Sequence, residues 1–519
     1  MKKHIYLLIL TTILCHFTCQ PKTDDDTLNP VPTPEWQLTT TLNPVGVNPL
    51  CAKLDISANV SGKVNIEVIG QDGDASNIVH TFDDITKEHC IPILGLYADY
   101  ENIVKVSYLN ESNEELLRDT LKITTSAIPD LLTQIDIDIR KLDKMKPGLT
   151  LVSYRGILNP NTPFMIDAFG KVRWILDYSE HIVFNQFQYE VGIERLRNGN
   201  FYFGESRSNA IYEIDAYGEI LNSWDVSPYE FHHNVQEKPN GNFLLTANDV
   251  GSIHLNGNQT HKDQVIEIDR QGSGIINVWD LKESINENRT VWGANVSDAV
   301  IDWAHGNAVV FDESDNTIIV SCQRQGLIKL DSENNVVWIL APHLSWGQNR
   351  RGENLSDYLL TPLDAVSYPI TDTDILNGYA NHPDFEWNWY QHAPKLLPNG
   401  NLIVFDNGNW RNYTDTEKYS RAVEYEINHS EKTIRQIWQY GKERGEETYS
   451  SLVSDVDYLP QTGNILFSPG YKTDNGNGLQ GGRIVEVNYA TKEVVFEARL
   501  SGYSSFQFHR AERLSLYPN

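Results

Sequence analysis

Between residues 31 and 125 apolar and polar residues alternate in short runs, as in Val64-Asn65-Ile66-Glu67-Val68 and Ile103-Val104-Lys105-Val106-Ser107. A period of two turns one side of a strand into a core and the other toward water. These runs predict a small N-terminal β-sandwich over 31–125. Residues 131 to 146 mix apolar and charged positions and belong to a connector covering 126–148, for which a helix is one reading. Beyond it the pattern repeats on a larger scale.

Each repeat opens with a turn such as Asn-Gly-Asn, runs through a β-rich segment to an acidic strand ending, turns again at Gly or Asn, and closes on a strand with one large aromatic residue. Asn198-Gly199-Asn200 leads through Tyr212-Glu213-Ile214-Asp215 and Gly218 to Trp224, and Asn240-Gly241-Asn242 leads through Ile266-Glu267-Ile268-Asp269 and Gly272 to Trp279. Later copies run from Asp315-Asn316 to Trp338, from Asn399-Gly400-Asn401 to Trp438 and from Thr462-Gly463-Asn464 to Phe496. A first copy, Phe164-Met165-Ile166-Asp167 with Gly170 and Trp174, lacks its opening strand. Six anchors mark six units, so 149–519 reads as an all-β, six-bladed β-propeller. Phe506 to Tyr517, after the sixth anchor, is the candidate for the missing strand. Its return to the first blade would close the ring and remove the open sheet edges.

Inner strands of a propeller line the central channel, so their first residues meet at one mouth. Counting back seven residues from the opening turn reaches His233 before Asn240, His305 before Asp312 and His392 before Asn399. Val191, Ser454 and Arg510 fill or approach that position in the remaining units. A single strand histidine is most simply a hydrogen-bonded structural residue, but three at one repeat position suggest a site. Three imidazoles could ligate zinc, yet no short His-x-His or His-x-x-x-His clip accompanies them, and a site without metal is preferred. Asn307 shares a strand face with His305, and Gln323 and Arg324 lie on the next strand. Imidazole, amide and guanidinium groups together suit a sulfuryl group, whose oxygens accept hydrogen bonds. Trp303, Trp387, Trp389 and Tyr390 lie nearby in sequence and serve equally as core or as stacking surface for a phenolic ring.

The formal charge of −28 argues against a nucleic-acid partner or an anionic membrane surface, and an anionic substrate would require a local concentration of cations. Lys2 and Lys3 precede an apolar run from Ile5 to Phe17, the layout of a secretory signal too short to span a bilayer permanently. Cys19 follows, then a polar tether over 20–30, so 1–19 reads as a lipoprotein signal with Cys19 lipidated. Plain cleavage is the alternative. The expected location is the periplasm or the outer membrane, with the lipid as the only membrane contact. Of five cysteines, Cys51, Cys90 and Cys322 fall in the mature body, and Cys51 and Cys90 could pair in an exported protein.

Asn48-Pro49-Leu50, His89-Cys90-Ile91-Pro92-Ile93-Leu94-Gly95-Leu96-Tyr97, Pro147-Gly148, Ser153-Tyr154-Arg155-Gly156, Val172-Arg173-Trp174, Phe231-His232-His233, Asp302-Trp303-Ala304-His305-Gly306-Asn307, Gln391-His392 and Arg510-Ala511-Glu512-Arg513 resemble, in order, the bacterial arylsulfate sulfotransferase family. The resemblance implies a six-bladed propeller behind a β-sandwich, working with no cofactor or nucleotide sulfate donor. It implies that His392 is the nucleophile taking the sulfuryl group from a small phenolic sulfate, that His305 moves the phenol proton, and that His233 and Asn307 hold sulfuryl oxygens before a phenolic acceptor takes the group. Gln323, Arg324 and Ser454 complete the expected substrate-binding set. Two departures stand out. The family arginine follows a Ser-Ser pair, whereas here Ser321-Cys322 precedes Gln323 and only then Arg324; a one-residue shift on a strand turns a side chain to the opposite face. The cysteine pair some members carry before His392 is also absent, and the long loop over 343–390 must be held otherwise. A catalytically silent propeller binding an anionic aromatic or a glycan, and a hydrolase passing the group to water, are the alternatives. Self-association through the N-terminal domain is left open.

Overall fold

The computed structural model describes residues 33–129, 134–155, 161–188, 192–272, 274–290, 297–502 and 507–518. The expected signal, tether and Cys19 lie outside these residues, as do Gly156, Val191 and Phe506. Among the described residues no helix is long and apolar enough to cross a membrane.

The N-terminal domain contains β1 (Trp36–Leu42), β2 (Cys51–Val68), β3 (Ile78–Leu94), β4 (Glu101–Leu109) and β5 (Glu115–Thr124), all antiparallel. β1 pairs with the first half of β2 and β4 with its second half, with register shifts between Ser57 and Val64 separating the two. The alternating apolar residues of both halves, Leu54 and Ile56 with Val64, Ile66, Val104 and Val106, enter one core. Cys51 and Cys90 are both free thiols: Cys51 lies opposite Leu94 and Cys90 opposite Asp55 along the paired strands, so they are not disulfide partners.

Six blade sheets follow, antiparallel from inner strand to the strand of the aromatic anchor; in blade 5 the short segment Thr361–Pro362 adds a parallel pairing at the outer edge. The connector is a strand, β6 (Gln134–Arg140), and not a helix; it pairs with Val494–Ser501 as a fifth, outermost strand of blade 6. The reason lies in its own alternation, Ile135, Ile137 and Ile139 between polar neighbours, which the wider 131–146 window obscured. Blade 1 comprises β7 (Leu149–Arg155), β8 (Phe164–Ile166) and β9 (Val172–Ile175), and its inner strand is Gln507–Leu514 from the C-terminus, paired from Gln507 opposite Arg155 to Leu514 opposite Leu149. The ring is closed by the first and last segments of the propeller.

The repeat motif has a physical basis. In blade 2 the Asn198 and Asn200 amides donate to the Glu213 carboxylate at 2.8 and 2.7 Å; Asn242 serves Glu267 at 2.9 Å, Asn401 serves Glu424 at 2.6 Å and Asn464 serves Glu486 at 2.8 Å. A buried carboxylate is tolerated because the turn that precedes it supplies donors. Blade 4 inverts the charges: Lys329 replaces the glutamate and bonds Asp312 and Asp315, each at 2.7 Å. The anchors act between blades. Trp174, Trp224, Trp279 and Trp438 donate their indole N–H to the carbonyls of Ala216, Arg270, Asp331 and Tyr489, each in a turn of the following blade.

Each inner strand runs away from the mouth, so turns between third and outer strands open on the opposite face. The N-terminal domain docks there. Asn48 donates to Ala216 O, Arg173 beside Asp167 reaches Gly95 O, Ser76 O and the Tyr97 hydroxyl, and the Tyr517 hydroxyl, beyond the closing strand, accepts from Leu94 N.

Removing the Lys329 amine would leave buried Asp312 uncompensated, so Lys329→Met is expected to destabilise the protein by about 3–5 kcal/mol. Chemical denaturation of wild type and variant measures this; an unchanged midpoint would refute the structural role given to the inverted pair.

Candidate active site

The three predicted histidines stand where inner strands begin: His233 within Tyr229–Glu237, His305 directly before Gly306–Asp312, and His392 at the head of His392–Leu396. They gather at one mouth. The His233 and His305 rings are 5.1 Å apart, and a fourth histidine, His509 of the closing strand, lies 6.4 Å from His233 and 5.6 Å from His392. Counting had pointed to Arg510 instead. A register break between Phe508 and Ala511 brings His509 to the histidine layer, and Arg510 lines the channel below it with Asn234, Ala308 and Ala393, around a cavity of about 370 Å³. The same break occurs between Phe231 and Val235, Gly306 and Ala308, and His392 and Lys395. His233 and His305 both have φ of 52°, a left-handed conformation that costs non-glycine residues about 1 kcal/mol or more and is typical of sites over-determined by their surroundings.

His392 has a defined tautomer. Its Nδ1 faces two acceptors, Asn407 Oδ1 at 2.8 Å and Tyr390 O at 3.1 Å, and therefore carries the proton. The Asn407 amide is itself oriented, because its Nδ2 donates to Ser450 O and Val453 O. The lone pair is left on Nε2. Burial, only partly offset by the Asn407 bond, lowers this imidazole to about 4, so it is neutral near pH 7. Asn307 donates to Gln391 O at 2.8 Å, beside His392, with one Nδ2 hydrogen remaining.

His305 Nδ1 lies 2.6 Å from Asp302 Oδ2, which leaves Nε2 as its exchangeable nitrogen. Burial alone would raise the Asp302 carboxyl, but hydrogen bonds from His261 and His305 and the neighbouring positive charge hold it well below the usual carboxylate range. Arg324 donates to Asp302 O and its Nη2 lies 3.4 Å from the carboxylate, so its guanidinium reaches the site. Residues 323 to 325 form a turn and not a strand, so the expected face inversion does not apply. Gln323 is buried and joins the layer through its backbone N–H, which donates to His305 O. Ser454 takes a different place: its hydroxyl bonds Ser450, Leu452 O and Gly470 N within the loop packing. Trp303, Trp387 and Trp389 are buried core residues, and Tyr390 alone of the four is partly exposed.

A buried ionic centre holds the long loop before His392. The Asp406 carboxylate accepts from Trp389 N, Gly408 N, Arg411 Nη2 and Arg421 Nε at 2.8, 3.1, 3.0 and 2.8 Å. Arg421 also donates to the Glu386 and Trp387 carbonyls. Sequence reasoning missed His509, Asn407 and Asp406. His509 adjoined a residue already singled out, whereas the two blade-5 residues carried no motif, because their roles arise only when the loop folds over them.

Local charge answers the objection raised by −28. Lys262 and Arg324 act on His305, and Arg155 on His509, in each case adding to burial in disfavouring the imidazolium. Among the described residues no group of three or more His, Cys, Asp or Glu side chains is arranged to hold a metal ion. Five clustered histidines, His232 among them, have lowered affinity for protons, chiefly through burial. The unfolded chain takes up these protons near pH 6.5 while the folded chain resists, so their contribution makes stability fall as pH drops from about 6.5 toward 4. His509→Gln is expected to lessen the loss of thermal stability between pH 6.5 and 4.5; an identical loss in both proteins would contradict the buried neutral assignment.

The sequence model of the arylsulfotransferase family matches residues 137–509, and that of the arylsulfotransferase Ig-like domain matches 39–126. An arylsulfate sulfotransferase of Escherichia coli O6:H1 is 29% identical over 548 residues, covering 88% of this chain and 89% of that protein. One of Lelliottia amnigena is 28% identical over 543 residues, with 88% and 89% covered. Among solved structures, the Dos1 propeller aligns over 69% of this chain and 74% of its own at 8% identity and a TM-score of 0.29.

Proposed function

The chain belongs to the arylsulfotransferase family, and from that premise we propose that it moves a sulfuryl group from a phenolic sulfate ester to a phenolic acceptor through a sulfohistidine on His392. The observation that carries this reading is the Nδ1 bond of His392 to Asn407, which reserves the Nε2 lone pair of a neutral imidazole. In the first half-reaction Nε2 attacks sulfur and the sulfur–oxygen bond to the aryl group breaks, its electron pair leaving on the phenoxide. The step uses the protonated form of His305, which the Asp302 carboxylate favours against burial and the nearby cations; it gives that oxygen the proton from Nε2 while Asp302 holds Nδ1. In the second, an acceptor phenol returns a proton to His305 as its oxygen attacks sulfur, and the N–S pair goes back to His392. No cofactor enters the cycle.

His233, His509, the Asn307 amide and the Arg324 guanidinium are the groups that would meet the sulfuryl oxygens. In a water-poor pocket such donors stabilise developing negative charge strongly. The substrate anion is met by Lys262, Arg324 and Arg155 despite the acidic whole. Export and lipidation at Cys19, read from the sequence, would place this chemistry outside the cytoplasm, in the periplasm or at the outer membrane.

Brief exposure to 4-nitrophenyl sulfate should release nitrophenol and add one SO₃ group to a peptide containing His392, and a phenol should then remove it. His392→Ala should lose both steps; normal turnover by that variant, or product formed only with water, would overturn the proposal. For the anchor, Cys19→Ser should move the protein from the membrane fraction to the soluble exported fraction, and retention at the membrane would count against lipidation there.

A further inference from the structure

We propose that Trp410 is the platform on which the substrate's aryl group stacks, and that it biases the enzyme toward phenols with fused or multiple rings. The inference rests on the sulfotransfer reading and adds a substrate class to it. Trp410 belongs to the loop 407–420 joining the second and third strands of blade 5, and such loops open on the histidine mouth. The residues close to Trp410 on both sides are fastened. Asn407 holds His392; Arg411 is buried against Asp406; Asn412 donates to Gly378 O at 2.9 Å; the Tyr413 hydroxyl donates to Asn377 O at 2.9 Å. Trp410 is 50% exposed, and its indole makes no hydrogen bond or ring contact among the described residues.

The turn is costly to form. Trp410, Asn412 and Tyr413 have φ of 55°, 51° and 60°, three left-handed non-glycine residues within four positions. The buried anchors on either side enforce this backbone conformation, and its outcome is a large aromatic side chain presented to water from a fixed backbone position. A fixed backbone matters, because the loop itself then need not be ordered when a ligand binds. Around the same centre stand Tyr390, partly exposed, and Leu452, 36% exposed. Tyr390 O accepts from His392 and Val453 O, next to Leu452, accepts from Asn407. Three exposed or partly exposed apolar side chains thus come from segments that hold the His392–Asn407 pair through their backbone or next to it. A single phenol ring needs only the pocket, whereas a second ring would extend over these side chains.

Donor and acceptor aryl groups occupy the same position in turn, so ring size, not the half-reaction, should decide the effect. Trp410→Ala is expected to lower kcat/KM about tenfold for 2-naphthyl sulfate as donor and 2-naphthol as acceptor, the value of about 1.4 kcal/mol of stacking. Phenyl sulfate and phenol should change less than about threefold, the nitrophenol burst with saturating 4-nitrophenyl sulfate should persist, and Trp410→Phe should recover most of the loss. Equal losses for one-ring and two-ring substrates, no loss for either, or disappearance of the burst would overturn the assignment. Calorimetric binding of 2-naphthol to wild type and Trp410→Ala tests the platform without turnover: weaker binding by the variant supports it and equal binding refutes it. Failure of sulfohistidine formation in wild type would instead fall on the transfer reading.

Discussion

The pairing of Gln507–Leu514 with Leu149–Arg155 is the constraint on which the rest depends. It is a contact between the two ends of the propeller, and no local propensity can produce it. Once formed, it covers the inner edge of β7 in blade 1, while β6 covers the outer edge of blade 6. It also delivers His509 to the histidine layer and carries Tyr517 to the N-terminal domain. Ring closure, the fourth histidine of the mouth and one of the contacts to the N-terminal domain thus run through one strand.

The two faces of the ring divide the work. On one, short turns are locked by amide–carboxylate bonds and indole staples, and the N-terminal domain rests against them through Arg173. On the other, longer loops bring Asp302, Asn407 and Asp406 to the histidines. Stability is concentrated where the repeats are regular, and chemistry where they are interrupted. The left-handed histidines and the buried, neutral imidazoles are unfavourable in isolation and persist because packed blades leave them no alternative.

Anion chemistry in a protein of charge −28 relies on the short range of the fields involved. Most acidic groups face solvent and are screened within about 10 Å at ordinary ionic strength. Arg324 and Lys262 act instead at contact range in a buried layer, where their charges are weakly screened. Asp302 serves both the orientation of His305 and the neutralisation of these cations.

Periodicity carried much of the structure in the sequence itself. Alternating apolar residues, six anchors and the turn motifs state the blade count, because each blade meets the same packing requirement and meets it with the same residue types. His233, His305 and His392 were legible for that reason, being repeated at one position. What the alternation could not show was where it breaks. A register shift leaves no mark on composition, so the choice of His509 over Arg510 was decided only by strand pairing. Asn407 and Asp406 are ordinary polar residues until a loop more than forty residues long folds over them. Sequence fixes what each strand prefers; only the closed ring determines which side chains from distant strands must share one small, dry space.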